Sequence, residues 1–506
     1  MDSVKIQRIS SWMLLALTLF IAPASADTSS SMSVNLKDQS VPVFTLTDVI
    51  ALAIRNNTSL QQEKLNRINQ KFDLLLAKWY FQPQYSLESA YKYDHSGSGI
   101  GNSRSFDVTP KATINSHYGT AITLTSNNVW NYNNTGSPNP LSAAKYNPSL
   151  TLDIKQQLSQ GVNPAVVDAA LNNAEDDEYE NKLKFEDDVT SAIATVTDNY
   201  VQLINDQLNL KTEQENLNSL EETVKNTKLQ IKAGQQARAS LVDAQSQVAS
   251  AKLSIEQANN TIFSAREALL DSIGLQPNTP FRLPDDLNKE LEHDEDVLTG
   301  GKAIPDIEVS ERMALKNNSS YQVAATTVKE TARNLLVTKD KNRWDLSLDA
   351  SRTQGSSSSG ASGLFNNNNA SNSVSLNLSV PIDNLQNKAN LVKSKIALDN
   401  AVTSLSKAKR QLFSQVRDDL NAVISTQQQL ELAKKAVVLQ QQNVDMTKEL
   451  HKFGRTSTFE LLQKQQDLVT DKAAVITAET SYLNSLVQFD TQLNDLLDRW
   501  NIHIRY

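Results

Sequence analysis

Residues 189–231 read VTSAIATVTDNYVQLINDQLNLKTEQENLNSLEETVKNTKLQI, and this stretch decides the fold. An apolar residue occupies every seventh position, at Val189, Val196, Leu203, Leu210, Leu217, Val224 and Ile231. Helices that pack in coiled coils show this sustained repeat, because it keeps one apolar stripe facing the partner helix. The sequence therefore predicts a long helix within a coiled coil.

The same series returns 220 residues later, at Val416, Val423, Leu430, Val437 and Val444. A second match, between AIRNNTSLQ at 53–61 and ALKNNSSYQ at 314–322, is offset by 261 residues. The repeats of solenoid proteins are only ~20–50 residues long. A duplicated unit of this greater size indicates one structural module with internal pseudo-symmetry.

Prolines and glycines place the ends of the helices. Proline costs about 3 kcal/mol inside a helix, and neither heptad region contains one. We expect long helices over 164–232 and 383–451, each roughly 100 Å long at ~1.5 Å per residue. Shorter helices are predicted over about 45–82, 240–274, 306–343 and 457–500. Each long helix is predicted to turn back at Gly234 or Gly454, because glycine tolerates the positive φ of such turns.

Strand patterns lie where the helices are predicted to stop. Apolar and polar residues alternate over 85–95, 150–158, 346–350 and 374–380, which gives two strands in each half. Outer-membrane barrel strands have one apolar and one polar face, although a half-buried sheet in a soluble domain alternates too. We interpret segment 112–125, inside 104–130, as an external hairpin. The connections 96–105 and 355–373, rich in Ser, Asn and Gly, are interpreted as external loops.

Four strands per chain do not close a barrel. Single-chain barrels begin at eight strands, and an open sheet in lipid leaves its edge groups unpaired. Several chains must therefore complete one barrel if these strands meet a membrane. Trp79, Tyr80 and Trp344 stand at the predicted helix-to-strand junctions, where a membrane-interface belt of aromatic residues would lie.

The N-terminus is typical of a secretory signal. Residues 1–26 combine a basic start, an apolar stretch and the cleavage triplet ASA at 24–26. The 506-residue chain has a formal charge of −8 and no cysteine, which excludes disulfides, Cys-ligated zinc and a thiol nucleophile. Its five histidines lack ligand spacing. We expect no catalytic residues, no metal, no cofactor and no nucleic-acid partner.

With doubled strand pairs, long coiled helices and a glycine turn in each half, the chain resembles the TolC-like outer membrane efflux family over about 45–500. The most specific segments are KAG at 232–234 with LVDAQ at 241–245, and FGRT at 453–456 with FELL at 459–462. The resemblance implies an α+β membrane protein. Its trimeric β-barrel has 12 strands, four from each chain, and continues into a long periplasmic α-helical coiled-coil tunnel. The implied location is the outer membrane of a Gram-negative bacterium.

We divide the chain into six segments. They are a signal peptide (1–26), an N-terminal periplasmic segment (27–44), a first repeat (45–275), a Pro-rich acidic linker of the equatorial region (276–305), a second repeat (306–500) and a C-terminal tail (501–506). The acidic run from Asp285 to Asp296 in the linker is interpreted as a solvated surface.

The resemblance also implies a periplasmic gate of acidic side chains in the helix after the second turn. Glu460 falls on the principal acidic position and Gln463 on the next one, while Asp243 is the nearest acid in the first half. A three-fold ring of Glu460 would favour cations and hinder anions. The alternative role of Glu460 is that of a solvated helix residue.

Tip turns and adaptor docking are implied at Lys232, Gly234, Lys452, Gly454 and Arg455. The basic side chains could pair with acids of an adaptor, or only face the negative end of a helix dipole. The family's closed-state latch is partly matched, since Arg455 is one residue early and His451 and Ser240 replace an aromatic residue and an acid.

The leading hypothesis for function is a channel-tunnel of a tripartite export system. A homotrimer would passively conduct small toxic compounds or drugs from the periplasm or an inner-membrane pump to the exterior, with a periplasmic adaptor (membrane fusion protein), the pump and outer-membrane lipid as partners. One alternative is the outlet of a type I protein secretion system. Another is a periplasmic coiled-coil adaptor or scaffold without membrane strands.

Overall fold

The computed structural model describes residues 41–95, 102–134, 144–299, 304–356, 370–500 and 502–504. The predicted signal peptide, most of the segment 27–44 and parts of both predicted external loops lie outside these residues. Val43–Tyr506 forms one compact unit. Among the described helices, none combines the length and apolar content needed to cross a membrane.

The described residues form eleven helices and six strands. The helices are α1 (Leu46–Asn56), α2 (Thr58–Trp79), α3 (Pro164–Val167), α4 (Ala169–Lys232), α5 (Arg238–Ser272), α6 (Leu287–Thr299), α7 (Ile307–Asn317), α8 (Ser319–Asp340), α9 (Leu385–Lys452), α10 (Thr458–Leu493) and α11 (Leu496–Arg499). The strands are β1 (Gln84–His95), β2 (Asn102–Asn115), β3 (Thr120–Asn134), β4 (Ala144–Gln157), β5 (Asp345–Gly355) and β6 (Ala370–Ser379).

The two predicted long helices are present as α4, with 64 residues, and α9, with 68 residues. Their heptad positions Val196, Leu203, Val416 and Val423 are buried in the largest apolar core. Around this core pack α1, α5, α6 and α10, which contribute further buried residues. The coiled-coil prediction therefore describes the centre of the core.

Three of the predicted shorter helices are interrupted by an asparagine. The helix predicted over 457–500 ends at Leu493, before the left-handed Asn494, and in the other two the asparagine caps a following helix. Asn57 ends α1 and caps α2, where its side-chain oxygen accepts a 3.0 Å hydrogen bond from the Leu60 amide. Asn318 does the same between α7 and α8, with the Tyr321 amide at 3.0 Å. The prediction of unbroken helices over 45–82 and 306–343 is wrong, because asparagine satisfies the free amides of a new helix start. The breaks at Asn57 and Asn318 keep the offset of 261 residues.

The acidic linker contains a helix with a buried face. In α6, Leu291 and Leu298 are buried, and so is Asp294. Burial raises the pKa of Asp294 to about 8, and repulsion from Glu290 adds to this rise. The interpretation of this run as a solvated surface is wrong at Asp294, because the apolar stripe of α6 carries it into the core.

All six strands belong to one antiparallel sheet with the order β1-β2-β3-β4-β5-β6. The four predicted strands correspond to β1, β4, β5 and β6. The prediction of four strands per chain is wrong, because β2 and β3 lie between β1 and β4. The interpretation of 112–125 as a hairpin outside the sheet is wrong for the same reason.

The sequence signal of β2 and β3 is weakened at one place. Pro110 has no amide hydrogen, and Ser126 and Asn128 interrupt the apolar alternation of β3. Pairing with both neighbours supplies what the local pattern lacks, since β3 keeps a continuous register with β4 from Thr120 to Tyr132.

Candidate functional site: the two-faced sheet and the helical tip

The sheet has one mainly apolar and one mainly polar face. Polar residues that share the register of the apolar face include Arg104, Ser126, Asn128, Arg352 and Asn372. The apolar face carries Tyr85, Leu87, Tyr91, Phe106, Val108, Ile122, Leu124, Trp130, Tyr146, Leu150, Leu152, Ile154, Leu348, Val374, Leu376 and Leu378. The polar face carries Glu88, Lys92, Asp107, Thr109, Lys111, Thr113, Thr123, Thr125, Asn127, Thr151, Asp153, Lys155, Ser347, Asp349, Ser351, Thr353, Ser373, Ser375 and Asn377. This division fits a wall with lipid on one side and water on the other.

An aromatic row crosses the apolar face near the end of the sheet that is remote from the helices. Tyr91 pairs with Phe106, Phe106 with Trp130 and Trp130 with Tyr146 in the strand register. The Phe106 and Trp130 rings are 5.7 Å apart, and Trp130 stacks on Tyr146 at 4.8 Å. Membrane barrels carry aromatic girdles at both lipid–water interfaces. The predicted belt missed this row, which the strand register alone reveals.

The predicted belt residues lie at the opposite end of the sheet. Trp79 is the last residue of α2, Tyr80 follows it, and Trp344 immediately precedes β5. All three side chains are exposed. Their role as an interface belt stays a prediction.

Hydrogen bonds between side chains cross-link the polar face. Thr113 and Thr123 hydroxyls are 3.4 Å apart between β2 and β3, and Thr151 and Thr353 hydroxyls are 3.1 Å apart between β4 and β5. The Ser351 and Ser373 hydroxyls meet at 2.7 Å between β5 and β6. The face is therefore a surface of hydroxyls and amides with scattered charges of both signs.

The two tip turns have the same backbone geometry. Gly234 has φ +73° and Gly454 has φ +68°. After each glycine, the next amide donates to a carbonyl five residues earlier, from Gln235 to Gln230 and from Arg455 to Leu450, both at 2.9 Å. This hydrogen bond closes a helix end of the Schellman type, which needs a residue in the left-handed region. The predicted turns are therefore correct at both positions.

The first gate candidate, Glu460, is exposed and belongs to a helix cap. Its amide donates to the Ser457 hydroxyl at 3.1 Å, and its carboxylate accepts a hydrogen bond from the Thr456 hydroxyl. Asp243 is also exposed, and the offset of 220 residues makes it the counterpart of Gln463. The acid missing at Gln463 is thus present in the first repeat.

One further acid near the gate candidates was not singled out from the sequence. Asp467 accepts a 2.9 Å hydrogen bond from Gln463 and lies 3.6 Å from the Lys464 ammonium. It is seven residues beyond Glu460, so both acids lie on one face of α10. The heptad step from Glu460 is the signal that could have found it.

The basic tip residues are exposed at the ends of the hairpins. Lys232, Lys452 and Arg455 have no ion-pair partner among the described residues. Phe453 and Phe459 lie beside them and are 77% and 70% exposed. The tip therefore presents free cations next to exposed aromatic rings.

His451 does not lie on the surface of the tip. Its side chain is buried, and its Nε2 lies 3.2 Å from the Thr458 hydroxyl across its own turn. Burial lowers its pKa. Gln230 of the first hairpin donates to the His451 carbonyl at 2.6 Å. Arg455, exposed on the same turn, takes no part in this contact between the hairpins. The closed-state latch stays a prediction.

A second link between the hairpins lies further from the tip. The buried Gln465 of α10 donates to the hydroxyls of Ser219 and Thr223 of α4, at 2.8 Å and 3.2 Å. Sequence reasoning missed Gln465 and Gln230, because both look like ordinary polar positions of a coiled-coil helix. Within the described residues, no group of His, Asp and Glu side chains could hold a metal ion.

The family model described as outer membrane efflux protein matches residues 121–275 and 312–494, one block in each repeat. The chain belongs to this family. The resemblance seen in the sequence is therefore confirmed, and so is its α+β fold. Membership also means that this efflux protein is an export channel of the outer membrane of a Gram-negative bacterium, with a helical tunnel in the periplasm.

Solved structures of outer-membrane channels share the fold of this efflux protein. CusC is 15% identical with a TM-score of 0.65, covering 91% of this chain and 95% of its own. The open-state MtrE channel of Neisseria gonorrhoeae is 18% identical with a TM-score of 0.65, covering 89% and 88%. VceC of Vibrio cholerae is 13% identical with a TM-score of 0.63, covering 89% and 96%. No curated protein sequence matches the chain.

Proposed function

We propose that three copies of this chain form a channel-tunnel that passively conducts small toxic compounds or drugs to the exterior. The observation that best supports this proposal is that a sheet with one apolar and one polar face continues directly into two equivalent helical hairpins. The sheet alone has two unpaired edges, so it requires further copies to line a pore. An inner-membrane pump and a periplasmic adaptor supply the cargo and the energy.

Deletion of the gene from its host tests the cargo. We expect susceptibility to several unrelated toxic compounds to rise at least fourfold, with the set of secreted proteins unchanged. Complementation with the wild-type chain is the control. Loss of a secreted protein with unchanged susceptibility would instead identify a protein-secretion outlet and refute the drug-export proposal.

We further propose that Glu460 and Asp243 form the periplasmic gate, with Gln463 as an uncharged position between repeats. Glu460→Gln removes the charge and retains an acceptor for Thr456, so the turn should stay intact. In planar bilayers, we expect the variant to lose cation selectivity and block by divalent cations. Asp286→Asn removes an exposed charge next to α6 and should change neither property. Equal behaviour of the two variants would contradict a gate role.

The tip turns are proposed to dock the adaptor. A Cβ atom at Gly234 meets no atom within 4 Å, and one at Gly454 meets only the Gln235 side chain at 4.0 Å. Asparagine tolerates the left-handed conformation, so Gly234→Asn and Gly454→Asn should keep both turns and leave trimers intact while placing a side chain on the surface that a partner meets. We expect loss of drug resistance and of adaptor cross-linking in both variants. Gly355→Ala, in open space at the sheet, is the control, and resistance at wild-type level in the tip variants would contradict docking there.

A further inference from the structure

We propose that β2 and β3 are part of the membrane wall, so that each chain contributes six strands and three copies close an 18-stranded barrel. The number 18 rests on the proposed trimer, whereas the place of β2 and β3 in the wall does not. The occupant of each free sheet edge is a second copy of this chain, with β1 of one copy paired to β6 of the next. The exit through the membrane is then wider than a 12-stranded barrel.

The first argument is that the hairpin shares both faces of the sheet. Phe106 and Trp130 are the middle members of the aromatic row that begins at Tyr91 in β1 and ends at Tyr146 in β4. The polar face is equally continuous, since Thr125 pairs with Thr151 of β4. Alternation in register with both neighbours is the requirement for a strand with lipid on one side and water on the other.

The second argument is the position of the hairpin turn. The turn between β2 and β3 lies at the helical end of the sheet, where His117 Nδ1 is 2.6 Å from the Asp168 carboxylate at the start of α4. The His117 ring stacks on Phe81 at 4.1 Å, and the Gly119 carbonyl accepts from the Gln157 amide at 3.1 Å. A hairpin that projected outside the cell would have its turn at the other end.

Glycine permits this turn to approach the helical end closely. Gly119 has φ +71°, and a Cβ atom there would clash with the Gly161 carbonyl oxygen just before α3. Asn115 also donates to the Tyr80 carbonyl at 3.2 Å, which ties the turn to the junction between α2 and β1. The hairpin is thus fixed at both of its flanking junctions.

The third argument is that the two edges fit each other. β1 begins at the helical end directly after α2, and β6 returns to it directly before α9. Adjacent copies would therefore place β1 and β6 antiparallel, as an even strand number requires. Edge side chains are the most exposed of the apolar face, with Leu87 at 70% and Leu376 at 64%, against 43% for Leu124 and 39% for Leu152. Pairing with a neighbouring copy would cover these exposed apolar side chains of the edge strands.

Barrel diameter grows roughly linearly with strand number, so 18 strands give about 1.5 times the diameter of 12. The apolar band has a fitting height, since Tyr85 to Tyr93 spans about 27 Å of strand and roughly 20 Å of membrane at a tilt of ~40°. The membrane exit would not restrict cargo size, and the narrowing would lie in the helical tunnel. An 18-stranded wall would therefore let through solutes that are too bulky for a 12-stranded exit.

The absence of cysteine in the chain allows a direct test by single substitutions. Leu124→Cys lies on the apolar face of β3 and Thr125→Cys on its polar face. In trimers reconstituted in liposomes, we expect Thr125→Cys to react with a charged maleimide and Leu124→Cys only with a lipid-soluble one. The paired positions in β4, Leu152→Cys and Thr151→Cys, are matched controls. Reaction of both β3 variants with the charged reagent would place the hairpin in water and overturn the proposal.

A second experiment tests the edges. Leu87→Cys in β1 combined with Leu376→Cys in β6 should give covalent dimers and trimers with a short bis-maleimide, because five strand steps of ~4.8 Å separate the two positions within one chain. Leu124→Cys with Leu376→Cys is the control and should give none. Cross-linking of the control pair instead would overturn the edge pairing. Covalent rings of another number, with the β3 labelling as expected, would refute the trimer but keep the six-stranded wall.

Discussion

The two repeats differ at one equivalent junction. This is where the C-terminal end of the second hairpin helix, α5 or α10, packs against the first helix of the same repeat, α1 or α7. In the first repeat, Gly274 follows α5 with φ +71° and lies against the Asn56 carbonyl, so closely that a Cβ atom would clash with it. In the second repeat, Asn494 occupies the counterpart position with φ +52°, and its side chain donates to the Asn317 carbonyl at 3.2 Å. One junction brings two backbones together, and the other bridges them with an amide.

The hydrogen bond beside each junction is nevertheless retained. Asn57 donates to the Ser272 carbonyl at 2.8 Å, and its counterpart Asn318 donates to the Gln492 carbonyl at 3.4 Å. Duplication has thus preserved the backbone frame and one asparagine contact, while the residue in the left-handed region has changed. The difference shows that the frame requires a positive φ, and that the side chain there depends on the distance to the facing carbonyl.

The largest expected effect is that of Gly274→Ala. The left-handed conformation costs alanine ~1–2 kcal/mol, and the clash with Asn56 must also move backbone. We expect a loss of about 3 kcal/mol, measured as a lower midpoint of thermal unfolding in detergent by circular dichroism.

The matched variant is Asn494→Gly. It relieves left-handed strain of ~1 kcal/mol and loses one hydrogen bond of ~1 kcal/mol, so the net change should stay within about 1 kcal/mol. Equal losses in Gly274→Ala and Asn494→Gly would show that the two junctions do not differ as described.

A smaller effect is expected at Asp490, whose counterpart in the first repeat is the buried Leu270. Burial raises the pKa of Asp490 to about 7, although Arg499 acts to lower it. The unfolded pKa is ~3.9. The folded state therefore binds the proton more tightly, and its stability is full below about pH 4 and declines as pH rises toward 7.

Asp490→Leu should remove this decline, which is on the order of 2–3 kcal/mol. Arg499 keeps Asp495 as a partner, with the Nε atom 3.2 Å from the carboxylate. Unfolding midpoints at pH 4.5 and 7.5 compare the wild type with Asp490→Leu, and the exposed Asp271→Asn serves as control. A pH dependence that survives Asp490→Leu would contradict this assignment.

The smallest effect is expected at the caps after the tip turns. Ser457 caps α10 by accepting from the Glu460 amide, whereas Ala237 at the counterpart position gives α5 no side-chain cap. Ser457→Ala should lower stability by about 1 kcal/mol and Ala237→Ser should raise it by a similar amount. Hydrogen exchange of the first helical turn measures both. No change in either variant would mean that the turns alone fix the helix starts.

Much of the fold could be predicted from the sequence because its signals are local or repeated. The heptad series predicts α4 and α9, and the offset of 220 residues predicts that Gly234 and Gly454 form equivalent turns. Apolar and polar residues alternate over much of β1 and β4 and over shorter parts of β5 and β6, so these strands were found although Ser89, Arg352 and Asn372 interrupt the apolar positions.

The remainder depends on contacts that no local pattern contains. β2 and β3 could not be assigned because Pro110 and Asn128 disturb their alternation. The pairing that fixes these strands joins residues that are far apart in the sequence. The links through Gln230 and Gln465 depend on which polar position of a helix faces its neighbour. The breaks at Asn57 and Asn318 did have a signal, since both occur within the matching stretches 53–61 and 314–322.

The turn at Ser116–Gly119 lies at the same level as the junctions on either side of it. A hairpin inserted there starts and finishes at one height, so the strands before and after it keep their direction and their attachment to the helices. A hairpin adds two strands at a time and does not change the number of helices. The girth of the membrane portion and the bore of the periplasmic portion can therefore vary independently in evolution.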